Sequence, residues 1–168
     1  MKINFVSAVV PAKGIVVVFA TEGGNLLSLG HAVDKRCNGQ LAKAIKAAKF
    51  GAKRDSVLDV LAPGADFDRI LIVGLGSAEN LDEKEVELIG GTIAGALQGV
   101  KARAANVLVE LPPKSKMTLE QASALVASGA SLRAYSFDGY KTKKPETAST
   151  LGELTIHTSA ASKAKTAF

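Results

Sequence analysis

Apolar positions along the chain switch repeatedly between a period of two and a period near 3.6, which predicts strands alternating with helices. Ile3-Asn4-Phe5-Val6 alternates weakly as a first strand, and Gly14-Ile15-Val16-Val17-Val18-Phe19-Ala20 is a β-branched run of the kind found in buried strands. From Gly39 to Phe50 the period lengthens. Leu41, Ala44, Ile45 and Ala48 then share one helical face, with Lys43 and Lys46 on another.

Ser56–Leu61 and Arg69–Gly74 follow as strands, separated by the turn-rich Pro63-Gly64-Ala65-Asp66. The second is apolar throughout and belongs near the centre of a sheet. Asp82 and Glu85 then form a D-x-x-E capping signal, and Val86, Ile89, Ile93, Leu97 and Val100 recur at helical spacing, predicting a helix over 82–100. It contains Gly90, Gly91, Gly95 and Gly99, each costing about 1 kcal/mol against Ala unless something compensates. The expected compensation is a smooth stripe at 91, 95 and 99 that lets another element press close.

Asn106–Leu111 is the next strand, stopped by Pro112-Pro113, and Thr118-x-x-Gln121 opens a helix through Leu119, Ala122, Leu125, Val126, Gly129 and Leu132. Lys141 to Ser149 reads as loop, and Leu151 to Thr158 as a last, half-exposed strand. The sum is about six strands and three helices in one α/β domain spanning 1–158, with no internal repeat. Residues 159–168 look like the start of a further helix, a linker to something beyond.

Composition fits this picture. Apolar residues make up 47% and aromatic residues 5%, with no Trp, which suits aliphatic helix-on-sheet layers better than an aromatic sandwich. A single cysteine, Cys37, precludes an internal disulfide and points to a reducing, cytoplasmic setting. No apolar run is long enough for a signal or a membrane span, so secretion and membrane insertion are disfavoured. The net charge of +5 is uneven: residues 1–100 carry 11 basic and 11 acidic groups, residues 101–168 carry 10 and 5. A solvated lysine face is the ordinary cause of such an excess, and an acidic partner such as DNA the sharper one.

Candidate chemistry is sparse. The two histidines, His31 and His157, have no metal-ligand spacing, and Cys37 has no neighbouring histidine in sequence. Asp82, Glu83, Glu85 and Glu87 crowd a helix start, where carboxylates offset the macrodipole. Gly74-Leu75-Gly76-Ser77 resembles a phosphate-binding turn, but Glu79 stands where a dinucleotide fingerprint has its third glycine and would repel a pyrophosphate; a tight strand-to-helix turn is the better reading. Tyr135, Phe137 and Tyr140 lie among Arg133, Lys141, Lys143 and Lys144, a pattern compatible with nucleic acid. Tyr135 and Phe137 also continue the apolar side of the preceding helix, which predicts that they dock on the core. No catalytic, cofactor-binding or metal-ligating residue is assigned.

Two stretches carry a resemblance. Tyr135-Ser136-Phe137-Asp138-Gly139-Tyr140-Lys141-Thr142 resembles a Y-x-F-x-x-Y-K-T motif near the end of the amino-terminal domain of leucyl (cytosol) aminopeptidases, and Arg69–Gly76 is similar to the R-[VI]-L-[LV]-V-G-L-G strand and turn of the same domain. The resemblance implies a three-layer α/β/α, macro-domain-like fold with a mixed sheet. It implies a non-catalytic, accessory or assembly role within a hexameric exopeptidase that releases amino-terminal residues using two divalent metal ions, manganese or zinc. Those ions would sit in a carboxy-terminal domain of the same chain, whose N-T-D-A-E-G-R motif has no match here, so the 168 residues by themselves are expected to be inactive and to hold no cofactor. The alternatives are a DNA-binding module and an ADP-ribose or nucleotide binder of macro-domain type.

Overall fold

A computed structural model describes residues 1–135 and 151–168. The predicted loop Lys141–Ser149 and the motif beyond Tyr135 lie outside them. The strands are β1 (Lys2–Val6), β2 (Lys13–Thr21), β3 (Asn25–Leu26), β4 (Val57–Gly64), β5 (Asp66–Gly74), β6 (Ala104–Leu108) and β7 (Glu153–His157). The helices are α1 (Ser28–Arg36), α2 (Gln40–Ala48), α3 (Glu83–Gly99), α4 (Leu119–Ala134) and α5 (Ala161–Ala167). Strand β3 and helix α1 go beyond the sequence expectation, and α5 gives form to the helix start expected after Ser159.

The sheet runs β1-β7-β6-β2-β5-β4, with the two-residue β3 paired to the end of β2. Neighbours from β1 to β5 are parallel, and β4 is antiparallel to β5, which makes the sheet mixed. Strand β2 holds the middle, as its apolar run predicts: Val16, Val17, Val18 and Ala20 are fully buried. Its side chains alternate between two cores because successive Cβ atoms leave opposite faces of a strand. Val17 and Phe19 join Leu71, Val73, Val107 and Ile156 beneath Ile89, Ile93 and Leu97 of α3 and Val126 of α4. Val16 and Val18 join Ile70, Ile72 and Leu108 beneath Val33 of α1 and Leu41 of α2. The result is a three-layer α/β/α domain, in which each fully buried Ile or Leu contributes about 1.5–3 kcal/mol.

The turn expected at 63–66 is tighter than its sequence implies. Strands β4 and β5 run into it from both sides and leave only Ala65 between them, with φ of 50° at Ala65 and 122° at Gly64. Helix α3 begins as predicted: Asp82 caps it by accepting from the Glu85 amide at 2.8 Å, while the Glu85 carboxylate accepts the Asp82 amide at 3.0 Å. Thr118 and Gln121 make the same reciprocal box for α4.

The glycine stripe differs from expectation. Helices α3 and α4 meet at Gly90 and Gly129: a Cβ on Gly90 would overlap the Val126 carbonyl, and one on Gly129 the Glu87 carbonyl. Gly91 and Gly95 lie at the margin of this contact, and Gly99 has nothing near it. The face that demands closeness is one residue away from 91, because α4 crosses over the side of α3 that also carries Val86, Ile89 and Ile93.

Candidate functional site

In an open sheet with parallel strands, ligands settle outside the carboxyl ends of strands whose outgoing connections leave toward opposite faces. Here β2 meets that condition against both of its parallel neighbours, β6 and β5, since β5 leads to α3 on the same face as α4. The chain leaving β2 turns through β3 into α1 and α2 on one face, whereas the chain leaving β6 passes to α4 on the other. The rim is formed by the start of α1, the segment 109–111 after β6, and the Gly74–Ser77 turn after β5.

The Gly74–Ser77 turn places its donors inward, on protein. The Gly74 amide donates to the Ser56 carbonyl at 2.8 Å, Leu75 to Ala20 at 2.9 Å and Gly76 to Ala52 at 3.0 Å. Glycine is required at 74 because a Cβ would run into the main chain of Ala52 and Lys53, and at 76 because φ is +68°. Arg54, in that same 52–56 loop, pairs with Glu85 and donates to the Asn80 carbonyl at 3.2 Å, which fastens the loop to the start of α3. The turn is therefore a packing device, and Glu79 beside it is exposed, 3.7 Å from Lys114.

Helix α1 starts without a cap of its own, for Leu27 at the N-cap position has no side-chain acceptor. The acceptor is Glu110, whose Oε2 takes the Leu29 amide at 2.6 Å. Burial pushes the Glu110 carboxyl above its ordinary pKa, and the amides of Leu29, Ser28 and Gly30, with His31 nearby, pull it partly back. Next to it the crevice is filled by Phe19, Leu75, Leu81, Val109, Leu111 and Val126, which leave a void of about 10 Å³, about the least that admits one water. The sequence marks Glu110 only faintly, as a lone acid between an apolar strand and Pro112-Pro113.

The other titratable groups have structural surroundings. His157, buried at the end of β7, hydrogen-bonds Asn106 Oδ1 through Nε2 at 2.9 Å. Burial lowers its pKa below the ordinary 6.5, and the Ser7 and Val9 carbonyls partly offset this. Buried Cys37 has its thiol pKa raised, by burial first and by the adjoining Asp34 second. Asp34 accepts the amides of Leu41 at 2.7 Å and Ala42 at 3.2 Å and so caps α2. Glu87 accepts the Ser128 hydroxyl at 2.8 Å across the α3–α4 contact.

Among the described residues no three His, Cys, Asp or Glu side chains are grouped so as to hold a metal ion. Broader grooves, of about 480 Å³ between α2 and β4 and about 600 Å³ along β1 beside Phe168, are open to solvent. Tyr135 is 73% exposed at the end of α4, contrary to the docking expected of it, because the helix ends there in an extended residue that carries the ring off the core. Phe137 and Tyr140 lie outside the described residues. No described helix is long and apolar enough to cross a membrane.

Comparison with known proteins gives the architecture a context. An Oceanobacillus iheyensis macrodomain mutant superposes with a TM-score of 0.72 at 10% identity, covering 98% of this chain and 88% of that one, which is a likeness of fold alone. A tomato leucine aminopeptidase mutant gives 0.76 at 20% identity over 98% of this chain and 35% of its own. The family model described as "Cytosol aminopeptidase family, N-terminal domain" matches residues 15–144. A probable cytosol aminopeptidase of Bradyrhizobium sp. (strain BTAi1) is 41% identical over 150 residues, covering 87% of this chain and 29% of that protein. One from Rhizobium leguminosarum bv. trifolii is 34% identical over 171 residues, covering 99% and 33%. The chain thus spans about a third or less of the curated relatives it matches, and it belongs to the cytosol aminopeptidase family, as that family's N-terminal domain.

Proposed function

We propose that this domain is the non-catalytic, accessory part of a cytoplasmic metallo-exopeptidase that releases amino-terminal residues from peptides. The observation that carries the reading is the extent of the match: relatives named aminopeptidases share this domain over 29% of their length, which leaves most of each protein for the chemistry. Two divalent ions, manganese or zinc, would polarise the scissile carbonyl and activate water in the carboxy-terminal domain. The described residues fit neither ion, so no step of the reaction is placed on them. Helix α5 would open the linker to that domain, and the N-terminal domains would support a hexamer.

The test is an assay of the 168-residue chain on a leucyl-anilide substrate with manganese or zinc, beside the full-length Bradyrhizobium relative. Turnover by the relative and none by the chain supports the reading. Metal-dependent turnover by the chain alone overturns it.

A second reading, DNA binding, is favoured by one observation: Tyr135 stands exposed at the end of α4, two residues after Arg133, in the part of the chain with the basic excess. It predicts a mobility shift at low salt that weakens steeply as salt displaces the lysine and arginine contacts to phosphate. Absence of a shift at low salt removes it for this domain.

A further inference from the structure

We propose that Glu110 is an internal anion seated in this domain's own ligand crevice, holding the place that a bound phosphate or carboxylate would take and closing the crevice to nucleotides. Two physical rules locate such a seat: the carboxyl-end crevice at a switch in strand connectivity, and the start of a helix whose first amides have no partner within the helix. Both rules meet at the start of α1, the helix that follows β2, the strand at which the connections change face, and Glu110 Oε2 is on the Leu29 amide there at 2.6 Å.

The rest of the rim is closed in the same manner. The amides of Gly74, Leu75 and Gly76 are spent on the carbonyls of Ser56, Ala20 and Ala52. At the starts of α3 and α4, capping boxes take the amides of Asp82 and Glu85 and of Thr118 and Gln121. Beside Glu110, Phe19, Leu75, Leu81 and Leu111 leave a void of only about 10 Å³. A ligand would have to displace a covalently tethered carboxylate and an apolar plug together. Glu110 ties the segment after β6 to the start of α1. This holds whether or not the aminopeptidase reading does.

The experiment follows backbone amide resonances of Ser28, Leu29 and Gly30, and the melting temperature, in the wild-type chain, E110A and E110Q at neutral pH. The probes are acetate, inorganic phosphate and ADP-ribose at millimolar concentration. The wild type is expected to show no saturable shift of these amides with any probe. In both variants the Leu29 amide should move, since it loses a charged acceptor. In E110A, acetate or phosphate should shift the three amides saturably and raise the melting temperature, an effect absent from the wild type. If E110A does not fold, the Leu29 resonance of E110Q decides: an unmoved signal overturns the proposal. Saturable binding of ADP-ribose or phosphate to these amides in the wild type also overturns it, as does a folded E110A that neither anion rescues.

Discussion

Gly129 of α4 rests directly on the main-chain carbonyl of Glu87 in α3, with no room for a side-chain carbon between them. Alanine there must force the two helices apart along a contact that also carries the Ser128–Glu87 hydrogen bond. Gly129→Ala is expected to destabilise the domain by about 3 kcal/mol, the upper range for overpacking. Gly99→Ala, with open space around it, should change stability by no more than about 1 kcal/mol, in the stabilising direction. Urea unfolding of the two variants checks the contrast; equal effects would contradict the packing described.

Asp34 should matter more than a polar residue on a short helix ordinarily does. It supplies the cap that α2 lacks, because Gly39 at the N-cap position has no side chain to offer. Asp34→Ala leaves two amides without their acceptor and should cost about 1–3 kcal/mol. Asp34→Asn keeps an acceptor oxygen and should lose less than half of that. Denaturant midpoints of the two variants against wild type measure the difference.

His157 gives the domain an acid-sensitive step. The folded state holds its imidazole below the ordinary pKa, chiefly by burial. Between the folded and unfolded values the unfolded chain therefore binds more protons, and stability falls as pH drops below about 6.5. His157→Gln should flatten that part of the profile. Chemical denaturation of both proteins at closely spaced pH values from 7.5 downward, taken from about one unit above the unfolded pKa, reads the slope.

Glu110 acts with the opposite sign. Burial outweighs the amides that face it, so its folded pKa lies above the ordinary 4.5. The folded state then holds the proton more readily than the unfolded chain, and this contribution to stability is complete below about 4.5 and lost as pH rises through the folded value. The stability of wild type relative to Glu110→Gln should therefore decline over that window. A difference that is constant with pH would show that the carboxylate is not held in the crevice as described.

Elements that carry their own signals were legible in the chain. Helix α3 announces its start with Asp82 and Glu85, α4 with Thr118 and Gln121, and β2 and β5 are apolar enough to be placed centrally. Helix α1 is different. Its sequence, Ser28–Arg36, has few apolar residues, and its cap is supplied from Glu110, far along the chain. No local window contains that information. The glycine-rich helix was recognised as a close-packing surface, but the choice of Gly90 over Gly95 and Gly99 depends on where α4 crosses, which is a tertiary fact. The candidate crevice is visible in the sequence only as its glycine turn; its filling by Glu110 and by leucines from two separate segments emerges when the strands are ordered.

The pairing of β1 with β7 has a consequence for biosynthesis. Lys2 lies opposite Glu153 and Val6 opposite His157, in parallel register, so β1 has no partner strand until residues 153–157 have been made. Ribosomes add about 5–20 residues per second, which leaves Ile3 and Phe5 waiting on the order of ten seconds for their partner strand. During that time β2, β5 and β6 can assemble a sheet whose β6 edge lies open in the place β7 will fill. A chaperone that holds the early segment, or a nascent chain that reaches the β6 edge first, would determine how much of this domain matures correctly.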